Sequence, residues 1–405
     1  MRPDPPGRRW RRIGSVGVAV ALLAGAAGVV VLRLRQDATS CQAANSCAPS
    51  SAAHGGSGHV PAPTVIVDSA PALRLHGPTA IAASAGYLWI ANSSGHSVAR
   101  IGWRGHHPAA WSAPDYRLFG PVAIVAGGGN LFVANMLGNS ITIINARDGN
   151  LVSTITSRAG LGVPRALAIY RGRLWVANSA SNTVAEFSAA TGALITVRSA
   201  RRFGFDDPYA LAVSQGRLWV ANAAGDSVTV LDAVSGALVM RLSGRRYGLA
   251  QPICEVANRT SLWIGNGADD SVSQISTVTG RPIRIIGGPA DRIANPVAMT
   301  LADGSLWIAN ARNDSVTQIG AASGTLVRVL AGRRYHLADP SGITAYRHRI
   351  WVTSLVGNSI TEIIPAASAS ATAPASPGAG PTASTPATPA ALAVGTLRAP
   401  ATPRR

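Results

Sequence analysis

Short runs of alternating apolar and polar residues fill most of the chain, and they recur in one order. Pro208-Tyr-Ala-Leu-Ala-Val reads as a strand, Ser-Gln-Gly-Arg as a turn, and Leu218-Trp-Val-Ala-Asn as a second strand. Ala-Ala-Gly-Asp turns again, and Ser227-Val-Thr-Val-Leu alternates as a half-buried third strand. After Ala-Val-Ser-Gly, Ala237-Leu-Val-Met-Arg-Leu makes a fourth.

This unit recurs seven times. Its aromatic falls at Trp89, Phe132, Trp175, Trp219, Trp263, Trp307 and Trp351, at intervals of 43 or 44 residues. Three residues on stand Asn92, Asn135, Asn178, Asn222, Asn266, Asn310 and finally Ser354. A proline keeps the same count, from Pro78 to Pro340. Four antiparallel strands per period of about 44 residues, radially repeated, predict the blades of a β-propeller. The seventh unit stops after its third strand, Ile360 to Ile364. The missing strand stands at the other end: Thr64-Val-Ile-Val-Asp68 lies as far ahead of Pro78 as Leu326–Leu330 lies ahead of Pro340. The expected fold is therefore all-β: a seven-bladed β-propeller over residues 63–365, closed by one N-terminal strand with three C-terminal strands. Closure in that manner removes the free sheet edge.

Outside the array the pattern changes. Residues 1–12 hold five arginines, and residues 13–32, Ile13 to Leu32, are uncharged and almost wholly apolar. Twenty helical residues rise about 30 Å, so this stretch predicts a single transmembrane helix. The arginine bias puts residues 1–12 in the cytoplasm and the propeller outside it. An uncleaved anchor fits better than a signal peptide, because Arg-Leu-Arg rather than a small-residue site follows the apolar run. Residues 33–62 read as a flexible linker that carries Cys41 and Cys47, and residues 366–405 as a disordered Pro/Ala/Ser/Thr tail. The net charge of +18 comes entirely from arginine, since there is no lysine. That bias reflects coding composition as much as a basic partner. An extracytoplasmic domain also makes nucleic acid an unsuitable partner.

The phrase Trp219-Val-Ala-Asn222 followed by Val228-Thr-Val-Leu-Asp232 resembles the repeat of the YVTN family of bacterial surface-layer-type β-propellers. The repeats are also similar to those of NHL-type and streptogramin-lyase propellers. The resemblance covers about residues 64–364 and implies the fold, while propellers of these types host unrelated roles. In the streptogramin-lyase type a Glu with nearby His residues holds a magnesium ion. Here Ala257 follows Glu255 at two residues, and His76, His336 and His348 fall in loops or turns. That constellation is not evident.

Candidate sites are the places where one blade departs from the rest. The repeated aromatics and asparagines read as inter-blade core and turn ligatures. Asp226, Asp270 and Asp314 share a turn position with Asn139, Asn182 and Asn358, which argues against a metal ring. Two residues after the proline, blade five has Cys254 where other blades have Ala or Gly, a small buried thiol. One slot on, Glu255 replaces an aliphatic residue, so its carboxyl faces a low-dielectric wall near the central channel. Arg201-Arg202-Phe203, Arg245-Arg246-Tyr247 and Arg333-Arg334-Tyr335 share the link to the next blade. Arg165 and Tyr209 follow their prolines at the expected channel mouth. Such guanidinium–aromatic groups suit carboxylate, phosphate or sulfate. The sequence thus points to a membrane-anchored binding or scaffolding module for a protein or anionic cell-envelope ligand, with no cofactor and no metal. The alternative is a metal-assisted lyase or hydrolase that uses Glu255 in the channel.

Overall fold

The computed structural model describes residues 63–365, apart from 69, 70, 113 and 289. The basic segment, the span at 13–32, the linker with Cys41 and Cys47, and the tail from 366 lie outside the described residues. Among the described residues no helix is long and apolar enough to cross a membrane.

Seven four-stranded antiparallel sheets form the blades of a propeller. Blade four is typical: Pro208–Ser214, Arg217–Asn222, Ser227–Asp232 and Leu238–Ser243 run from the channel outward. Blade seven combines Pro340–Tyr346, Arg349–Ser354 and Ser359–Ile364 with Thr64–Asp68, which pairs antiparallel from Thr64↔Ile364 to Asp68↔Ile360. The closure expected from the register of the repeats is thus present.

The core lies between blades. Trp219 is fully buried and packs against Leu262, Ile264 and Ile275 of blade five. Trp175 does the same against Leu218, Val220 and Leu231 of blade four, and Trp351 against Leu88 and Ile90 of blade one. Each aromatic fills the wedge its own sheet cannot fill, because two twisted sheets diverge from the axis.

Two polar ligatures per blade fix the upper face, where the second turn and the inter-blade link meet. The six repeated asparagines are completely buried. Asn222 Nδ2 donates to Ser227 Oγ at 3.2 Å and to Thr229 Oγ1 at 3.1 Å, and its Oδ1 accepts from the Asp206 amide at 3.4 Å. Thr229 in turn donates to the Phe203 carbonyl at 3.1 Å, so the buried amide holds the link that carries Arg201 and Arg202. The second ligature joins neighbouring blades. Asn139, Asn182, Asp226, Asp270, Asp314 and Asn358 sit in left-handed turn conformations. Each accepts the amide of the residue before the next blade's proline, at 2.6 to 2.8 Å. In blade one His96 Nδ1 plays this part, accepting from the Gly120 amide at 3.0 Å. The last of the seven, Asn358 to Gly77, spans the closure. These turn acids are structural acceptors, and among the described residues no group of three His, Cys, Asp or Glu could hold a metal ion.

Candidate functional site: the central channel and its mouth

Each first strand carries a β-bulge immediately after its proline, between Pro164 and Ala166 in blade three and between Pro208 and Ala210 in blade four. A bulge re-aims the extra residue out of the ladder. Here the seven bulged residues, Thr79, Val122, Arg165, Tyr209, Ile253, Val297 and Ser341, ring the upper end of one central cavity of about 430 Å³. Two residues deeper a second ring is formed by aliphatic or Met side chains and, in blade five, Glu255.

The upper ring is polar on two sides for different reasons. Thr79 and Ser341 spend their hydroxyls on neighbouring backbone, donating to the Pro121 carbonyl at 3.0 Å and the Pro78 carbonyl at 2.6 Å. Arg165 and Tyr209 form a unit: Nη1 donates to the phenol oxygen at 3.1 Å, and the guanidinium lies 4.7 Å from the ring centroid. Arg165 Nε is buried with no partner. A guanidinium held over a ring, with a donor left over, is poised for an oxyanion.

Glu255 borders the channel, yet both its carboxyl oxygens are buried without a hydrogen-bond partner. Desolvation raises its pKa well above the ordinary 4.5, opposed only by the Ala212 backbone amide of blade four, which faces it without reaching hydrogen-bond geometry. Burial thus favours the protonated form of this carboxyl. Next to it, burial and then the Glu255 charge push the Cys254 thiol up to about 12, and Sγ donates to the Pro296 carbonyl at 3.3 Å. Cys254 is a satisfied core thiol. It is accommodated by a second departure in the same blade, Gly265 at the directly paired position, where a Cβ would stand 2.4 Å from Sγ.

The link arginines do not line the channel. Arg201 and Arg202 lie on Ala200–Phe203, Arg245 and Arg246 on Arg245–Tyr247, Arg333 and Arg334 on Arg333–Tyr335, and all six are exposed. Their aromatic neighbours Phe203, Tyr247 and Tyr335 are buried anchors, with Arg246 and Arg334 stacked on the rings at 4.8 and 4.6 Å. Other arginines are structural. Arg198 lies 2.9 Å from the buried Glu186 carboxylate, which also pairs with Arg173, and donates to the Gly236 carbonyl of blade four at 2.9 Å. Arg349 pairs likewise with Glu362. The site candidates thus separate into a channel group (Arg165, Tyr209, Glu255) and an outer arc on the same face. Asp339, which the repeat pattern did not single out, also lines the channel.

No protein-family model matches the chain, and no curated protein matches it either. Among solved structures it is similar to a streptogramin B lyase (16% identity, TM-score 0.62, covering 74% of this chain and 97% of that one). A catalytically inactive virginiamycin B lyase from Staphylococcus aureus with quinupristin gives 16% identity and a TM-score of 0.64 over 75% and 99%. Hydrazine synthase of Kuenenia stuttgartiensis gives 17% and 0.59 over 72% and 96%. At such identities the likeness is one of fold: the chain is a seven-bladed β-propeller resembling the streptogramin B lyases in architecture. The magnesium chemistry implied by the lyase resemblance does not fit the donors present. Glu255 stands among aliphatic side chains, and among the described residues no histidine lines the channel.

Proposed function

We propose that the protein is a binding module that takes an anionic group at the mouth of its central channel. The observation that carries this reading is Arg165, stacked on Tyr209 with its Nε buried and unpartnered, at the rim of a ligand-sized cavity. The exposed link arginines share that face and would gather an anionic partner by long-range attraction, whether a protein or a cell-envelope polymer. The YVTN-type reading of the repeats and the apolar span at Ile13 to Leu32 suit a membrane-anchored module facing the outside of the cell.

The test is a thermal-shift titration of the full chain with carboxylates, phosphate, sulfate and anionic glycans. A ligand at one hundred times its Kd should add about 2.7 kcal/mol. Arg165→Ala and Tyr209→Phe should abolish or weaken the shift. A shift that persists in Arg165→Ala and disappears only when Arg245 and Arg246 are replaced would move the site from the channel to the outer arc. The second reading, a lyase or hydrolase acting through Glu255, is favoured by the architectural likeness to streptogramin B lyases. It requires turnover that Glu255→Gln abolishes.

A further inference from the structure

Two groups of opposite character line one cavity, and each lacks its partner. Arg165 has a buried free donor at the mouth. Glu255, two residues deeper along the first strands, has two buried free acceptors. Among the described residues no ion pair joins them. A buried polar group left unpaired is destabilising, so such a pair in one channel asks for a ligand that supplies what both lack. Two strand residues separate the rings by about 7 Å along the axis, the length of a small molecule.

We propose that the channel binds a small zwitterion end to end, its carboxylate on Arg165 and Tyr209 at the mouth and its ammonium on Glu255 below. The inference rests on the reading of the mouth as an anion site and adds the class of ligand. Glu255 lines the cavity, and both its carboxyl oxygens are buried with no hydrogen-bond partner. Rotation about the side-chain bonds turns the carboxyl to the incoming ammonium. The remaining ring members at that depth are aliphatic or Met, so nothing competes for the cation, and they cover the ligand's methylene chain. The other ionisable groups along the channel are Tyr209 and Asp339 at the mouth and Cys254 behind the wall.

Binding carries a signature that simple anion capture lacks. Burial favours the protonated Glu255 carboxyl in the free site, whereas an ammonium that keeps its three protons favours the carboxylate in the complex. Ligand binding therefore passes protons from Glu255 to solvent. Isothermal titration calorimetry of the full chain at neutral pH, in two buffers of different ionisation enthalpy, reads that release directly. The probes are glycine, β-alanine, γ-aminobutyrate and ε-aminocaproate, with caproate and hexylamine as single-ended controls.

One of the ω-amino acids should bind about tenfold more tightly than either control and release protons on binding. Glu255→Gln should abolish the release and the gain but keep the affinity for caproate. Glu255→Asp, with its acid on a shorter stem, should keep the release and shift the preference to a longer probe. Caproate binding that Arg165→Ala abolishes, in a series indifferent to the amine, would sink this inference and leave the anion site standing. Proton release that persists in Glu255→Gln would also overturn it. If no probe binds at millimolar concentration, both readings fall.

Discussion

Glu255 is the residue at which the local rules of the fold are broken most plainly. Its position in the ring of aliphatic side chains was legible from the repeat register alone. What the register could not reveal was that, among the described residues, no cation pairs with it, because that depends on which side chains of other blades reach the wall. The consequence is measurable. The folded-state pKa lies above the ordinary 4.5, so the folded state binds more protons than the unfolded one once the pH passes that value. Stability from this group is complete below pH 4.5 and is lost as pH rises toward the folded pKa. Glu255→Gln has no such proton to lose. The melting temperatures of the two proteins should therefore diverge in favour of Gln as pH is raised from acid to neutral. Parallel curves would show that the carboxyl is not desolvated. Cys254, raised to about 12, does not titrate in that window.

At the scale of the strand, departures come in pairs. Cys254 faces Gly265 where five other blades pair Ala with Ala, and Gly342 faces Thr353 in blade seven. A larger side chain on one strand is matched by a smaller one opposite, as dense packing between paired strands demands. Each departure was visible in the sequence. Their coupling was not, since it needs the register that pairs a first strand with a second. Gly265→Ala alone should therefore destabilise by about 1–3 kcal/mol through overpacking against Sγ. Cys254→Ala should largely rescue it, with a coupling energy of about 0.5–3 kcal/mol in a double-mutant cycle read by denaturant unfolding. Additive losses would mean that the two side chains do not meet. His96 teaches the converse lesson. It shares a register with six Asn and Asp residues, but only its geometry shows an imidazole doing the work of an amide oxygen.

For the whole molecule, the decisive element is the pairing of Thr64–Asp68 with Ser359–Ile364. It couples the two ends of the array, so every blade has two neighbours and the repeat stack has no exposed terminal unit. Removal of residues 1–68 should leave blade seven with a bare edge on its third strand. We expect a clear drop in melting temperature and concentration-dependent association by size-exclusion chromatography, since an open edge recruits other chains. A truncated protein with unchanged stability would show that the inter-blade ligatures, including Asn358 to Gly77, suffice to hold the ring.

The sequence by itself determined the blade count, the strand order, the closure and the identity of the odd residues, because each follows from a period that every copy repeats. The register already set Arg165 and Tyr209 at the channel mouth and Glu255 at its wall, while tertiary structure alone decided that Arg165 lies over the Tyr209 ring and that Glu255 has no hydrogen-bond partner. Arg165, Tyr209 and Glu255 converge because bulges and ring closure bring three different blades to one axis, whereas the link arginines, closer in kind, stay on the outer arc. Periodicity is a local property of the chain and survives in one dimension. Convergence on an axis is a property of the closed ring, and it exists only once all seven blades are in place.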